Sequence, residues 1–233
     1  LSATASAAID VNPVNDRPVA SGGPQSVTVP GEDQDGTATT LDVLLGGNYS
    51  DATDDQTPDG GNTSTALSYV AITGSTDYVS AQGTWQVSDG SGGWIDVPTS
   101  GLSASNALVV VANSEIRFIP AEDFHGTPGT LDVRLADNST DLNSQMSTAA
   151  GDLKDLSTAG GTGETGSWSA DHVEIETSVA NENDPPSATG IATLAPVDED
   201  SANPPGDTVA NLFGGVFDDG TDDQTGIPGG NDA

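Results

Sequence analysis

Apolar residues are sparse along this chain, and where they cluster they alternate with polar ones. Leu67-Ser-Tyr-Val-Ala-Ile-Thr-Gly74 is one such run, and Thr84-Trp-Gln-Val-Ser88 another. Gly93-Trp-Ile-Asp-Val97, Ala107-Leu-Val-Val-Val111, Glu115-Ile-Arg-Phe-Ile119, Thr130-Leu-Asp-Val-Arg-Leu135 and His172-Val-Glu-Ile-Glu-Thr177 follow. A period of two puts alternate side chains on one face, as a half-buried strand requires. Turn chemistry separates the runs. Asp89-Gly-Ser-Gly-Gly93 reads as a hairpin loop between the first two Trp-bearing strands, and Ala112-Asn-Ser114 as the turn of the next pair. No stretch sustains a capped period of 3.6. The pattern predicts an all-β chain with about eight short strands per unit. A two-sheet β-sandwich with Greek-key connections would bury such faces.

The chain repeats itself at long range. Gly46-Gly47, Asp51 and Asp54-Asp55-Gln56-Thr57 return as Gly214-Gly215, Asp219 and Asp222-Asp223-Gln224-Thr225, an offset of 168. Asn15-Asp16-Arg17-Pro18 returns as Asn183-Asp184-Pro185-Pro186 at the same offset, as do Thr40 and Leu44 at Thr208 and Leu212. Glu32-Asp33 and Gly60-Gly61-Asn62 return within one residue of that register. The spacing divides the chain into the tail of one unit (1–14), a complete unit (15–182) and the opening of a third (183–233). A unit of this length is a domain, not a solenoid turn. Residues 183–233 lack the strands that would complete their core and are expected to order poorly.

Charge changes the picture next. Four Lys and Arg face 36 Asp and Glu, a net charge of −32, with 28 Asp among the acids. So few basic residues exclude a nucleic-acid-binding face. No apolar run is long enough to cross a membrane as a helix. Without cysteine there is no disulfide framework, thiol chemistry or Cys-ligated zinc. Leu1 falls in mid-pattern with no secretory signal before it, so the chain reads as an excerpt of a longer protein. Leu, Ile, Val and Phe make only 45 of the 233 residues, which with this charge is also a signature of disorder. A disordered or salt-adapted acidic linker without specific metal sites therefore stands as one alternative.

Several of these segments resemble a known family. Val11-Asn-Pro-Val-Asn-Asp16 followed by Pro18, and Val197-Asp-Glu-Asp200 after the second Asn-Asp, are similar to the cadherin-like and VCBS-type tandem repeats of very large type I-secreted (RTX) bacterial adhesins. Gly83-Thr-Trp-Gln-Val-Ser-Asp-Gly90, Glu115-Ile-Arg-Phe-Ile-Pro120 and Asp123-Phe-His-Gly126 look like internal signatures of those repeats. The resemblance implies an Ig/cadherin-like β-sandwich with long Asp/Gly-rich loops, rigidified by several Ca²⁺ ions in a secreted, cell-surface array. This unit is longer than the common repeat of such proteins. The extra length falls in 48–66 and 138–170.

Two groups of residues are candidate Ca²⁺ ligands. The first is the loop Asp51, Asp54, Asp55, Gln56, Asp59 and Asn62, with Asp219, Asp222 and Asp223 in the partial copy. It offers four carboxylates and two amides within twelve residues, oxygen donors of the kind a hard cation collects. It matches neither the EF-hand loop nor the nonapeptide of β-rolls. A solvated acidic loop is the alternative. The second group lies at the junctions: Asn15, Asp16, Glu32 and Asp33, then Asn183, Asp184, Glu199 and Asp200, with Asp137 at the end of a strand as a further contributor. Its ligand role is implied by the resemblance. The chemistry of Asn-Asp-x-Pro alone is equally that of a turn and linker. Bound cations would also relieve the repulsion within so acidic a domain.

The remaining chemistry is thin. Trp85 and Trp94 fit a core position, and Trp168 fits core or ligand face equally. His125 and His172 fall in no zinc spacing. No nucleophile elbow or phosphate loop occurs, and the chain is not expected to be an enzyme. Two functions remain: a rigid Ca²⁺-stiffened spacer in an adhesin's arm, with neighbouring repeats of the same chain as partners, or a Ca²⁺-dependent module that captures a host or biofilm surface peptide or glycan.

Overall fold

The computed structural model describes residues 9, 14–55, 63–138, 151, 153–158 and 161–220. The expected sites Gln56, Asp59, Asn62, Asp222 and Asp223 lie outside these residues, as does nearly all of the expected unit 1–14. The chain folds as two compact units, Leu1–Ala180 and Asn181–Ala233.

The regular structure among the first unit's described residues is mostly β-strands. In order they are β1 (Val19–Ala20), β2 (Gln25–Thr28), β3 (Thr39–Thr40), β4 (Tyr49–Ser50), β5 (Tyr69–Thr76), β6 (Gly83–Ser88), β7 (Trp94–Asp96), β8 (Ala107–Val111), β9 (Glu115–Pro120), β10 (Thr130–Ala136), β11 (Leu153–Lys154) and β12 (Val173–Ser178). Among the described residues of this unit one α-helix, the short α1 (Leu41–Leu45), lies between β3 and β4. The six-stranded sheet runs β11-β8-β5-β10-β12-β2, and the four-stranded sheet β3-β9-β6-β7. Neighbours are antiparallel except β12 and β2, which run parallel. β1 and β4 form a separate two-stranded ladder.

Residues from both large sheets share one buried cluster. Val70, Ile72, Leu108, Val110, Leu131, Val133, Leu135, Val173 and Ile175 come from the first, and Trp85, Val87, Ile116 and Phe118 from the second. The alternation in the sequence is therefore literal: in β6, Gly83, Trp85 and Val87 are buried and the residues between them are half-exposed. Trp85 packs edge-on against Phe118 with centroids 5.1 Å apart. Its indole Nε1 donates to the Gly129 carbonyl at 3.1 Å, which satisfies the one polar atom that burial of the ring would otherwise strand. α1 contributes Leu41 and Leu45, both fully buried, as a plug for the same core.

All seven strands expected from alternation are present, shifted by at most two residues at their ends. One pairing departs from expectation. The turn Ala112–Ser114 does not close a hairpin, because β8 pairs with β5 and β11 while β9 pairs with β3 and β6. The turn carries the chain from one sheet to the other. The reason lies in the run itself: four consecutive residues of β8, Ala107–Val110, are buried, so both its faces are covered. Its second face meets a smaller cluster of Ala71, Ala107, Val109, Ala136, Leu156 and Trp168. Leu156 and Trp168 belong to the long segment after β10, so part of that extra length forms a layer over the outer face of the main sheet.

The second unit contains β13 (Ser187–Ala188), the short helix α2 (Val209–Phe213) and β14 (Phe217–Asp218), with β13 and β14 paired antiparallel.

Replacing Trp85 by Ala removes about 3–5 kcal/mol of stability by opening a cavity in the shared core. Trp85→Phe costs less, about 1–3 kcal/mol, because it keeps most of the packing and strands only the Gly129 carbonyl. Denaturant midpoints of the two variants in the same buffer check the order.

Candidate metal centre

The structure brings part of each expected ligand group of the complete unit together: Asp51 and Asp54 from the loop, and Asn15, Asp16 and Asp137 from the junction. Asp51 follows β4, and Asp54 closes the single helical turn after it, Ala52–Asp54. Asp137 follows the last residue of β10. One carboxylate oxygen from each lies within 4.8 Å of the others, and all three residues are buried, at 5%, 3% and 1% exposure. The tight turn brings Asp54 back toward Asp51 through a hydrogen bond from its own N–H to the Asp51 carbonyl at 3.2 Å. Asp137 is delivered from a distant part of the chain because β10 ends beside residues 65–68: the Ser68 N–H donates to the Ala136 carbonyl at 2.9 Å.

The linker completes the arrangement. The Asp16 N–H donates to Asp54 Oδ1 at 2.8 Å, and Asn15 Nδ2 donates to Asp137 Oδ2 at 3.2 Å. Asn15 Nδ2 also reaches the Gly166 carbonyl at 3.4 Å, and the Arg17 N–H donates to the Glu164 carbonyl at 2.8 Å. Residues 15–17 thus run between the acidic loop and the segment that carries Trp168. Thr65 is a member that sequence reading missed: its N–H and Oγ1 both donate to Asp51 Oδ2, at 2.7 and 3.2 Å. No motif marks it: its hydroxyl accepts from the Asn138 N–H at 3.3 Å, a contact that exists only because the chain leaving β10 passes beside it.

Asp51 Oδ1 is the informative atom. It is buried and accepts no hydrogen bond. A buried carboxylate oxygen without a partner is costly, and an acidic one beside two more carboxylates is costlier. Two unit charges about 4.8 Å apart at an effective dielectric of about 20 repel by about 3 kcal/mol. Three such pairs would consume most of the 5–15 kcal/mol that holds a domain folded. The arginines do not supply the missing charge. Arg17 Nη1 donates to the Thr162 carbonyl, Arg134 Nη1 to the carbonyls of Ser169 and Ala170, and Arg117 to Gln86 and, at 3.5 Å, to exposed Asp35. Burial pushes the Asp51 carboxyl above the usual range. The charges of Asp54 and Asp137 push it further, against the hydrogen bonds from Thr65. Burial also drives the Tyr49 hydroxyl strongly upward, with Asp51, Asp137 and Asp54 adding to the effect.

The donor set fits a hard divalent cation: three carboxylates in reach of one point, flanked by an amide side chain and main-chain carbonyls. Asp51, Asp54 and Asp137 would hold it, with Asp51 Oδ1 as the oxygen that gains a partner.

The other expected residues lie elsewhere. Glu32 is buried beside His125, whose Nδ1 is 3.3 Å from Glu32 Oε2. Asp33 and Asp55 are exposed. In the second unit Asn183, Glu199 and Asp200 are exposed, Asp184 is half-buried, and Asp219 is half-buried with a buried Oδ1 that accepts no hydrogen bond. Asp132 on β10, His172 just before β12 and Glu174 on β12 form another grouping, but it is open to water, with the His172 side chain 54% exposed. Trp94 stands under the Arg117 guanidinium at 4.0 Å, which covers a ring face a ligand would need. Trp168 is fully buried. Comparison of the chain with protein-family models, curated proteins and solved structures finds no match.

The geometry predicts opposite pH responses with and without metal. Because folding raises the Asp51 carboxyl, the folded chain keeps a proton that the unfolded chain has lost at pH values above the ordinary Asp range. Metal-free stability therefore falls as pH rises through the folded-state value and increases as pH is lowered from neutral. With Ca²⁺ the sign reverses, since protons displace the ion. Melting temperatures across mildly acidic to neutral pH, in dialysed and Ca²⁺-loaded protein, check this. Asp51→Asn should stabilise the metal-free chain by about 1–3 kcal/mol, the order of one relieved carboxylate pair, flatten its pH response and abolish the Ca²⁺ increment.

Proposed function

We propose that this chain carries a Ca²⁺-stabilised β-sandwich repeat of a large secreted bacterial adhesin, and that the repeat serves as a rigid spacer in cell-surface adhesion or biofilm formation. The observation that carries the reading is the buried carboxylate trio Asp51, Asp54 and Asp137 around an oxygen without a partner. It supports a unit whose linker end is closed by a cation. Two large sheets sharing one core cluster support the sandwich. The direct bonds from Asn15 and Asp16 to the same carboxylates support a role in stiffness. An ion there would pin the linker segment to the body of the unit at both the acidic loop and the end of β10. Secretion and adhesion come from the resemblance of the Asn-Asp-x-Pro and Gly-Thr-Trp-Gln-Val-Ser-Asp-Gly segments to adhesin repeats. A protein that folds outside the cell around an abundant extracellular ion needs no cysteine, and this one has none.

A site that binds only the folded state adds folding free energy, about 3–4 kcal/mol per ion at concentrations a hundred- to a thousandfold above its Kd. That is a large share of a domain's stability. Circular dichroism melting of the metal-free chain should therefore show a weak or early transition that sharpens and rises steeply with millimolar CaCl₂, and much less with MgCl₂ or with NaCl of equal ionic strength. An unfolding curve that NaCl raises as much as CaCl₂ would instead identify a salt-adapted acidic domain.

A further inference from the structure

The six-stranded sheet carries a group of metal-binding side chains on the face turned away from the shared core. Leu131 and Val133 of β10 face that core, as do Val173 and Ile175 of β12. Asp132 and Glu174 therefore point the other way. These two residues are direct partners in the ladder between the strands. His172 precedes Glu174 by two positions and shares its face. One donor atom from each of the three lies within 4.8 Å of the others, and His172 Nε2 is 3.8 Å from Asp132 Oδ1. The donors come from strands distant in the chain, which is why no linear spacing marks them.

The sheet departs from regular pairing at this point. Gly74 of β5 pairs with Asp132, and Ile72 with Val133, which leaves Thr73 as the extra residue of a bulge. The Thr73 hydroxyl donates to the Asp132 carbonyl at 3.3 Å. Bulges re-aim the side chains beside them. The glycine adds room: a Cβ on Gly74 would stand 2.9 Å from Asp132 Oδ2, so the carboxylate lies in the space that the missing side chain leaves.

The charges call for a cation. Like charges directly opposite one another across an antiparallel pair destabilise it, and Asp132 faces Glu174. Arg134, on the same face of β10, turns its Nη1 to the carbonyls of Ser169 and Ala170. The donor set also differs in kind from the Asp51 trio, which offers oxygen alone. An imidazole nitrogen suits zinc, copper, iron or nickel, whereas calcium and magnesium take oxygen. Zn²⁺ binds nitrogen and carboxylate oxygen at about 2.0–2.2 Å, which sets the donors of a tetrahedral site about 3.3–3.5 Å apart. A small rotation of either side chain brings His172 Nε2 and Asp132 Oδ1 to that separation.

We propose that Asp132, His172 and Glu174 form a surface site for a first-row transition-metal dication of the Zn²⁺ class. The ion relieves the Asp132–Glu174 repulsion and ties the start of β12 to β10. Three protein ligands leave its fourth position to water, as the exposure of His172 allows. The site stands independently of the calcium reading, since it shares no residue with the Asp51 trio.

The test is calorimetric titration of the chain with ZnCl₂ in millimolar CaCl₂, which keeps oxygen-only sites filled with the harder ion. One Zn²⁺ site is expected. Loss of even an outer-shell partner costs a metal site about 10–100-fold in affinity, so His172→Ala and Asp132→Asn should each cost at least as much. His125→Ala should leave the titration unchanged. In NMR spectra, Zn²⁺ should shift the imidazole nitrogens of His172 and not those of His125. Zinc binding that survives His172→Ala, or that His125→Ala weakens equally, would overturn the proposal. So would a chain that takes up no Zn²⁺ while CaCl₂ is present.

Discussion

Three carboxylates held within 4.8 Å of one another inside a folded unit are the constraint on which the rest of this structure turns. The elements that place them are otherwise unrelated: a helical turn after β4, the end of the central strand β10, and a linker that precedes the first strand. The turn and the linker are short of apolar residues. Bringing them together gains little hydrophobic burial and concentrates negative charge, so the electrostatic term decides whether that end of the unit closes. A divalent ion converts the term from repulsion of about 3 kcal/mol per pair to attraction. The same chain without the ion has a reason to hold a proton on Asp51 or to come apart there.

The body of the unit is stable for more ordinary reasons. Its core is a continuous cluster from both large sheets, anchored by Trp85, Phe118 and the leucines of α1. The low aliphatic content, which alone would suggest disorder, is misleading because most aliphatic residues of the strands are buried, with Val19, Val111 and Leu153 the exposed exceptions. The outer layer formed by Leu156 and Trp168 extends this economy. It buries the second face of β8 and sets Trp168 one bridge away from Asp137, through the isolated pairing with Ala136. Core packing and the acidic centre are thus mechanically connected.

Much of this was legible in the sequence because it depends on local pattern. Strands such as Gly83–Ser88 and Val173–Ser178 announce themselves by alternation. The repeat announces itself by register. What was not legible depends on long-range pairing. β2, whose single buried residue is Val27, has no alternation to read, and its parallel partnership with β12 comes from across the chain. Ala107–Val111 looks like half of a hairpin until its second face is known to be covered. The acidic loop and the Asn15–Asp16 linker looked like two separate groups. Asp137 was expected with the linker group; only the placement of β10 beside residues 65–68 shows that it also meets Asp51 and Asp54, and no spacing rule could have pointed to Thr65.

The most direct measurement is diffraction from crystals grown with CaCl₂. The account predicts one strong peak among Asp51, Asp54 and Asp137, with oxygen distances of about 2.3–2.6 Å and Asp51 Oδ1 among its ligands. A structure in which these carboxylates stay together around no ion, with Asp51 Oδ1 bonded to water or to a protein donor, would contradict it.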